Sequence, residues 1–115
     1  MLYTGSCHCG GIRFQVEGVV DSGLACNCSM CARRASLLWF APREKLRLLT
    51  SEDGVSTYLF NKHVIEHRFC AKCGIHAFGE AKGPDGRAMA AVNLRTLEDF
   101  DVASVPVKHY DGRSK

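Results

Sequence analysis

No apolar run in the chain approaches the roughly 20 residues needed to cross a bilayer. The longest, Leu37-Leu38-Trp39-Phe40-Ala41 and Met89-Ala90-Ala91-Val92, break off after a few positions. A transmembrane helix is therefore not expected, nor is a membrane partner. The first residues, Met1-Leu2-Tyr3-Thr4-Gly5, lack the basic start and the apolar stretch of a secretory signal, which points to a cytoplasmic protein. Helical periodicity is also missing, since no stretch sustains it for ten residues, and turn signals recur at the short intervals of an all-β fold. There is no internal repeat, linker or low-complexity segment. A length of 115 residues predicts a single domain over 1–115 with a modest core, burying about two-thirds of the surface of the unfolded chain.

Strong charge is lacking as well. The formal +3 counts the seven cysteines as neutral. Seven thiolates and two Zn²⁺ ions would bring it to zero. Affinity for nucleic acid comes largely from neutralising phosphates with Lys and Arg, so no nucleic-acid partner is expected.

What the chain does have is cysteine, grouped as Cys7-His8-Cys9, Cys26-Asn27-Cys28-Ser29-Met30-Cys31 and Cys70-Ala71-Lys72-Cys73. A reducing compartment keeps thiols free for metal, seven is an odd number, and a CxxC pair followed by Gly74 has the form of a metal knuckle. These features favour zinc over disulfides, and all-thiolate tetrahedral spacing favours zinc over other metals. Zinc held for structure takes four protein ligands, whereas zinc held for chemistry takes three and keeps a position open. Spacing alone allows Cys7 and Cys9 to join Cys70 and Cys73, or either outer pair to join Cys28 and Cys31. The first partition is favoured, because Cys26, Cys28 and Cys31 are too close in sequence to serve two separate ions without strain. It divides the cysteines into a closed four and an open three.

Along the chain, Leu2–Cys9 and Ile12–Val16 read as a hairpin turning at Gly10-Gly11, with Cys7 and Cys9 on one side and His8 on the other. Leu24–Cys26 reads as a strand, Cys28–Cys31 as a tight turn that aims amides at sulfur, and Leu37–Ala41 as a buried strand ended by Pro42. Arg43-Glu44-Lys45 is expected to form one helical turn after that proline. Val55–Phe60 and Val64–Phe69 read as a hairpin through Asn61-Lys62-His63, with Ile75–Phe78 and Arg87–Asn93 as strands joined at Gly83-Pro84-Asp85-Gly86. Thr96 is expected to cap a short turn through Glu98 and Asp99. Val105–Tyr110 is expected to form an edge strand, with Pro106 removing one donor.

The motifs Gly5-Ser6-Cys7-His8-Cys9-Gly10-Gly11-Ile12-Arg13-Phe14, Cys26 to Cys31, Phe69-Cys70-Ala71-Lys72-Cys73-Gly74 and Val92-Asn93-Leu94-Arg95-Thr96-Leu97 span nearly the whole chain. In that order they resemble the glutathione-dependent formaldehyde-activating enzyme family, which also includes the centromere protein V domain. The resemblance implies an Mss4-like β-tent fold of short antiparallel strands with two zinc ions. It implies a structural ion on Cys7, Cys9, Cys70 and Cys73, and a catalytic ion on Cys26, Cys28 and Cys31. The implied activity is carbon–sulfur chemistry that joins formaldehyde to glutathione or splits the adduct, so a small thiol such as glutathione and a small aldehyde are the expected partners.

Three thiolates leave a zinc site with net charge −1, a weaker Lewis acid than a three-histidine site. Holding a substrate thiol as thiolate suits such a site better than activating water. Arg33 and Arg34 are candidate binders for the carboxylates of an anionic thiol, with two solvated arginines as the plainer reading. His67 and His76 are candidate proton carriers or partners of the ligands, though packed or surface roles are the simpler expectation. Asn27 and Ser29 can serve either the reacting oxygen or the turn itself, and Trp39 and Phe40 are expected in the core. Two other classes compete with an enzyme: an interaction module, and a thiol redox or zinc sensor. A substrate-sized cleft at the triplet would favour the enzyme, and a flat apolar patch the module.

Overall fold

A computed structural model describes residues 1–59 and 65–114. Strands β1 (Leu2–Ser6) and β2 (Arg13–Glu17) pair antiparallel, and β2 also carries β5 (Leu46–Leu48), giving a three-stranded sheet. A seven-stranded sheet contains β3 (Gly23–Cys26), β4 (Leu38–Pro42), β6 (Val55–Leu59), β7 (Glu66–Cys70), β8 (His76–Lys82), β9 (Ala88–Asn93) and β10 (Val107–Tyr110), in the order β10-β3-β4-β9-β8-β7-β6. The single helix among the described residues, α1 (Ser29–Arg34), leaves from the end of β3. No helix among them is long and apolar enough to cross a membrane. The all-β expectation holds.

Alternation along the strands accounts for the packing, because side chains two apart share a face. The small sheet contributes the fully buried Phe14 and Val16, and the large one contributes Trp39, Ala41, Phe78, Ala90 and Val92. Edge-to-face aromatic pairs join the two sheets, with ring centroids 5.8 Å apart for Phe14–Phe78 and 5.9 Å for Tyr3–Trp39. Leu38 and Phe40 of β4, and Met89 and Ala91 of β9, fall on the opposite face of the large sheet. Phe40 is therefore not a core residue. Trp39 is buried as expected, whereas Phe40 is 51% exposed.

Three further differences from the sequence reading are local. Cys28–Cys31 is more than a turn: Cys28 is the N-cap of the six-residue α1, which closes on Ala35 at φ 55°. The cap of the turn after β9 is Asn93, whose side chain accepts from the Arg95 amide, while the Thr96 hydroxyl donates back to the Asn93 carbonyl. A side chain that follows its turn cannot accept from that turn's first amides, which is why Asn93 and not Thr96 does this work. The edge strand β10 runs parallel to β3, and Pro106 sits just outside it, its carbonyl accepting from the Gly23 amide at 3.0 Å. Strands β6 and β7 pair from Val55↔Cys70 to Leu59↔Glu66, and the expected turn at Asn61-Lys62-His63 lies outside the described residues.

Candidate metal centre

The favoured partition of the cysteines is the one the fold assembles. Cys7 and Cys9 at the end of β1 meet Cys70 and Cys73 at the end of β7, and the four sulfurs all lie within 4.8 Å of one another. Zn–S bonds of about 2.3 Å in a tetrahedron would set sulfurs about 3.8 Å apart, and Cys7–Cys9 and Cys9–Cys70 stand at 3.8 and 3.5 Å. Backbone amides turn toward the sulfurs as they do in knuckles: Ile12 N to Cys7 Sγ at 3.2 Å, and Lys72 and Cys73 N to Cys70 Sγ at 3.4 Å each. The second knuckle closes at Gly74, whose φ of 80° a side chain would resist. Amide hydrogen bonds, with Ile75 first, draw the Cys73 thiol down to about 6, so it is a ready thiolate ligand. The donor set and its geometry fit a tetrahedral zinc ion.

Cys26, Cys28 and Cys31 form a second cluster of three, all half-buried, and no fourth His, Cys, Asp or Glu among the described residues joins it. The Cys28 amide points at Cys26 Sγ and the Cys31 amide at Cys28 Sγ, each at 3.4 Å. Burial, then the neighbouring sulfurs of Cys28 and Cys26, push the Cys31 thiol up to about 12. Three sulfurs packed so closely cannot all be thiolates unless a cation joins them, so this set too fits a metal ion, with one coordination position left to an outside ligand.

A six-residue helix has no stability of its own, and two long-range contacts hold this one. Arg95 Nε donates to the Ala35 carbonyl at 3.2 Å, satisfying a carbonyl at the helix end. From the other side the C-terminal segment reaches back: Asn27 Nδ2 donates to Asp111 Oδ1 at 3.0 Å, and the Arg113 amide donates to Asn27 Oδ1 at 2.9 Å. The Asn27 amide group is thus occupied by the chain itself and does not serve a reacting oxygen. Gly112 packs directly on Cys26. Neither Arg95 nor this segment carries a local sequence signal for the site. Their positions follow from sheet order.

Beside the triplet, the outer face of the large sheet forms the floor of a cavity of about 300 Å³. Cys26, Cys28 and Cys31 line one end, with Arg34, Ser36, His67 and His76 also on the wall. The Ser36 hydroxyl is 3.0 Å from His76 Nδ1, while His76 Nε2 is buried without a partner. Burial, and next the nearby Arg34 charge, lower the His76 pKa to about 3, so the ring is neutral at physiological pH. His67 is lowered for the same reasons, its ring centroid 6.3 Å from that of His76. Arg34 Nη1 is likewise buried with no partner. Arg33 lies outside this cavity, its guanidinium donating to the Ser29 carbonyl at 2.8 Å, and it borders a shallower cleft with Arg34, Tyr58 and Phe69. Of the two arginines only Arg34 lines the triplet's cavity, although both border the second cleft, and both histidines share the cavity wall with the triplet.

The chain has counterparts among known proteins. A family profile described as glutathione-dependent formaldehyde-activating enzyme matches residues 2–110. The chain belongs to this family. A Talaromyces marneffei protein bearing the family's name is 30% identical over 79 residues, which are 64% of this chain and 42% of that protein. The chain thus spans less than half the length of that curated relative. A solved crystal structure of a Rhodobacter sphaeroides protein superposes with a TM-score of 0.77 at 29% identity, covering 91% of this chain and 99% of the other. The chain therefore shares its fold with the Rhodobacter sphaeroides protein over nearly the whole of both.

Proposed function

We propose that this protein is a zinc-dependent carbon–sulfur lyase of the formaldehyde-activating type, acting on adducts of a thiol with an aldehyde. The β-tent reading of the fold, with a structural ion on Cys7, Cys9, Cys70 and Cys73 and a catalytic ion on Cys26, Cys28 and Cys31, belongs to the same proposal. The observation that carries it is the three-sulfur cluster, incomplete among the described residues, at the wall of a cavity. A flat apolar patch would have favoured an interaction module, and a cleft at the triplet favours a small-molecule substrate.

Cys26, Cys28 and Cys31 would hold a zinc ion, which would supply Lewis acidity that favours the thiolate form of a substrate sulfur near neutral pH. The chain's own residues do the rest. Cys28, as the N-cap of α1, and Cys31, in its first turn, are anchored by the helix beside Cys26. His76, with the Ser36 hydroxyl at its Nδ1, lines the same cavity as the triplet, its Nε2 buried without a partner. In the lyase direction the C–S bond breaks, its electron pair goes to sulfur, and the adduct hydroxyl becomes the aldehyde carbonyl. The hydroxyl proton leaves by way of the His76 ring to water.

The test is native mass spectrometry combined with a cleavage assay on S-hydroxymethylglutathione and related adducts. Two zinc ions per chain are expected, with Cys28→Ser losing one ion and the activity together. Full activity in zinc-depleted Cys28→Ser protein would remove the proposal.

A further inference from the structure

We infer that the thiol handled at the triplet carries a hydrocarbon or aryl group and a single carboxylate, in place of the several charges of glutathione. This rests on the reading above, that a substrate sulfur takes the triplet's open position. The cavity floor is the first argument. An exposed sheet face normally alternates to polar residues, yet β4 and β9 present Leu38, Phe40, Met89 and Ala91 there, while their other face presents Trp39, Ala41, Ala90 and Val92 to the core. Both faces are apolar, and the outer one has no sheet packed on it. Phe40 on that floor is 51% exposed. An apolar cavity with a few placed polar groups is the usual form of a small-molecule site.

Charge is the second argument. Among the described residues that line the cavity, Arg34 is the one permanent cation and none is Asp or Glu, so the triplet's own sulfurs are the other charges on the wall. The half-buried Arg34 has its Nη1 buried without a partner, a costly state for a guanidinium unless an anion joins it. One carboxylate would meet that need in bidentate fashion. Glutathione brings two carboxylates and an ammonium, and the described wall offers the ammonium no carboxylate. The two histidines do not alter the balance, since burial keeps them neutral and able to offer hydrogen bonds only.

The experiment replaces zinc with Co²⁺, whose thiolate charge-transfer absorption reports a further sulfur arriving at the triplet. The probes are 2-mercapto-3-phenylpropanoate, 3-mercaptopropanoate and glutathione, each titrated into the cobalt-loaded full chain. The aryl probe is expected to bind at least about tenfold tighter than the other two, in keeping with burial of its ring. Arg34→Met is expected to weaken it by about tenfold through loss of the ionic pair. Ala91→Phe, which fills the floor, should cancel the aryl advantage and leave the 3-mercaptopropanoate affinity unchanged, with Ala81→Leu as a second filling variant should the first lose the four-cysteine cobalt spectrum. Glutathione binding as tightly as the aryl probe overturns this inference and leaves the thiol reading standing, whereas silence from all three thiols overturns both. An unchanged affinity in Arg34→Met overturns the carboxylate assignment.

Discussion

A Cβ placed on Gly112 would stand 2.5 Å from the Sγ of Cys26. The C-terminal segment and the first sulfur of the triplet are thus in contact at backbone distance, and the Asn27 bridge to Asp111 and Arg113 holds them there. Gly112→Ala must displace either the strap or the sulfur, because no flexible side-chain end is available to yield. The expected outcome is a loss of at least about tenfold in metal affinity at the triplet, with the four-cysteine site still loaded. Metal competition with a chelator of known affinity, run on the wild type and the variant, measures it.

The buried imidazole of His76 makes folding sensitive to pH. Its folded pKa of about 3 lies below the ordinary 6.5, so between those values the unfolded chain binds a proton that the folded chain does not. Stability then rises with pH across this window, is fully present above about 6.5, and is lost progressively as pH falls toward 3, by at most about 1.4 kcal/mol per unit. His76→Gln, which keeps a polar group but does not titrate, should flatten that slope. Urea unfolding of both proteins from pH 5 to pH 7 isolates the histidine, since any acid sensitivity of the metal sites is common to the two. Parallel curves would refute the assignment.

Arg68 of β7 joins three carboxylates: Glu52 at 2.6 Å, Glu66 at 3.0 Å and Glu80 at 3.4 Å, with its own side chain only 14% exposed. Glu80 is shared with Arg43, which also lies over the Phe78 ring at 5.9 Å. The cluster therefore couples the turn before β6 to β7 and β8. Isolated surface pairs contribute little, but a shielded arginine within a network contributes more. Arg68→Ala is expected to destabilise by about 1–2 kcal/mol, and Arg68→Lys to recover less than half of that, because a point charge cannot reach three acceptors as the planar fork does. Thermal unfolding at low and high salt checks both, with the deficit shrinking in salt.

The parts legible in the sequence were those with a short period. Strand patterning located the strands from Leu2 to Asn93 other than β5 (Leu46–Leu48), and CxC and CxxC spacing marked every cysteine of the two clusters. What stayed hidden came from distant segments brought side by side. Phe40 sits in a strand that is apolar on both faces, so periodicity could not distinguish core from cavity floor. Gly112, Asp111 and Arg95 act on the triplet from 60 or more residues away, and nothing local marks them. His67 and His76 looked like isolated histidines until the pairing of β7 with β8 placed both on the cavity wall. Thr96 has the right chemistry for a cap, but Asn93 stands at the position where the first amides of the turn point.

The two metal sites should part company under a chelator. Cys7 and Cys70 belong to the hydrophobic core, 5% and 1% exposed, and their ion would tie the end of β1 to the end of β7 across the molecule. Cys26, Cys28 and Cys31 are half-buried on one local segment, so their ion would link no distant strands. A ligand set that draws distant strands together contributes its binding free energy to folding, whereas a local set does so only for its own segment. Mild chelation is therefore expected to release one zinc per chain with little change in the far-ultraviolet circular dichroism. Release of the second, under harsher treatment, should coincide with loss of the sheet signal. By the same argument Cys70→Ala should cost more than about 3 kcal/mol and Cys28→Ala about 1 kcal/mol or less. Simultaneous release of both ions, or unfolding upon loss of the first, would show that the triplet carries the fold as much as the four-cysteine site does.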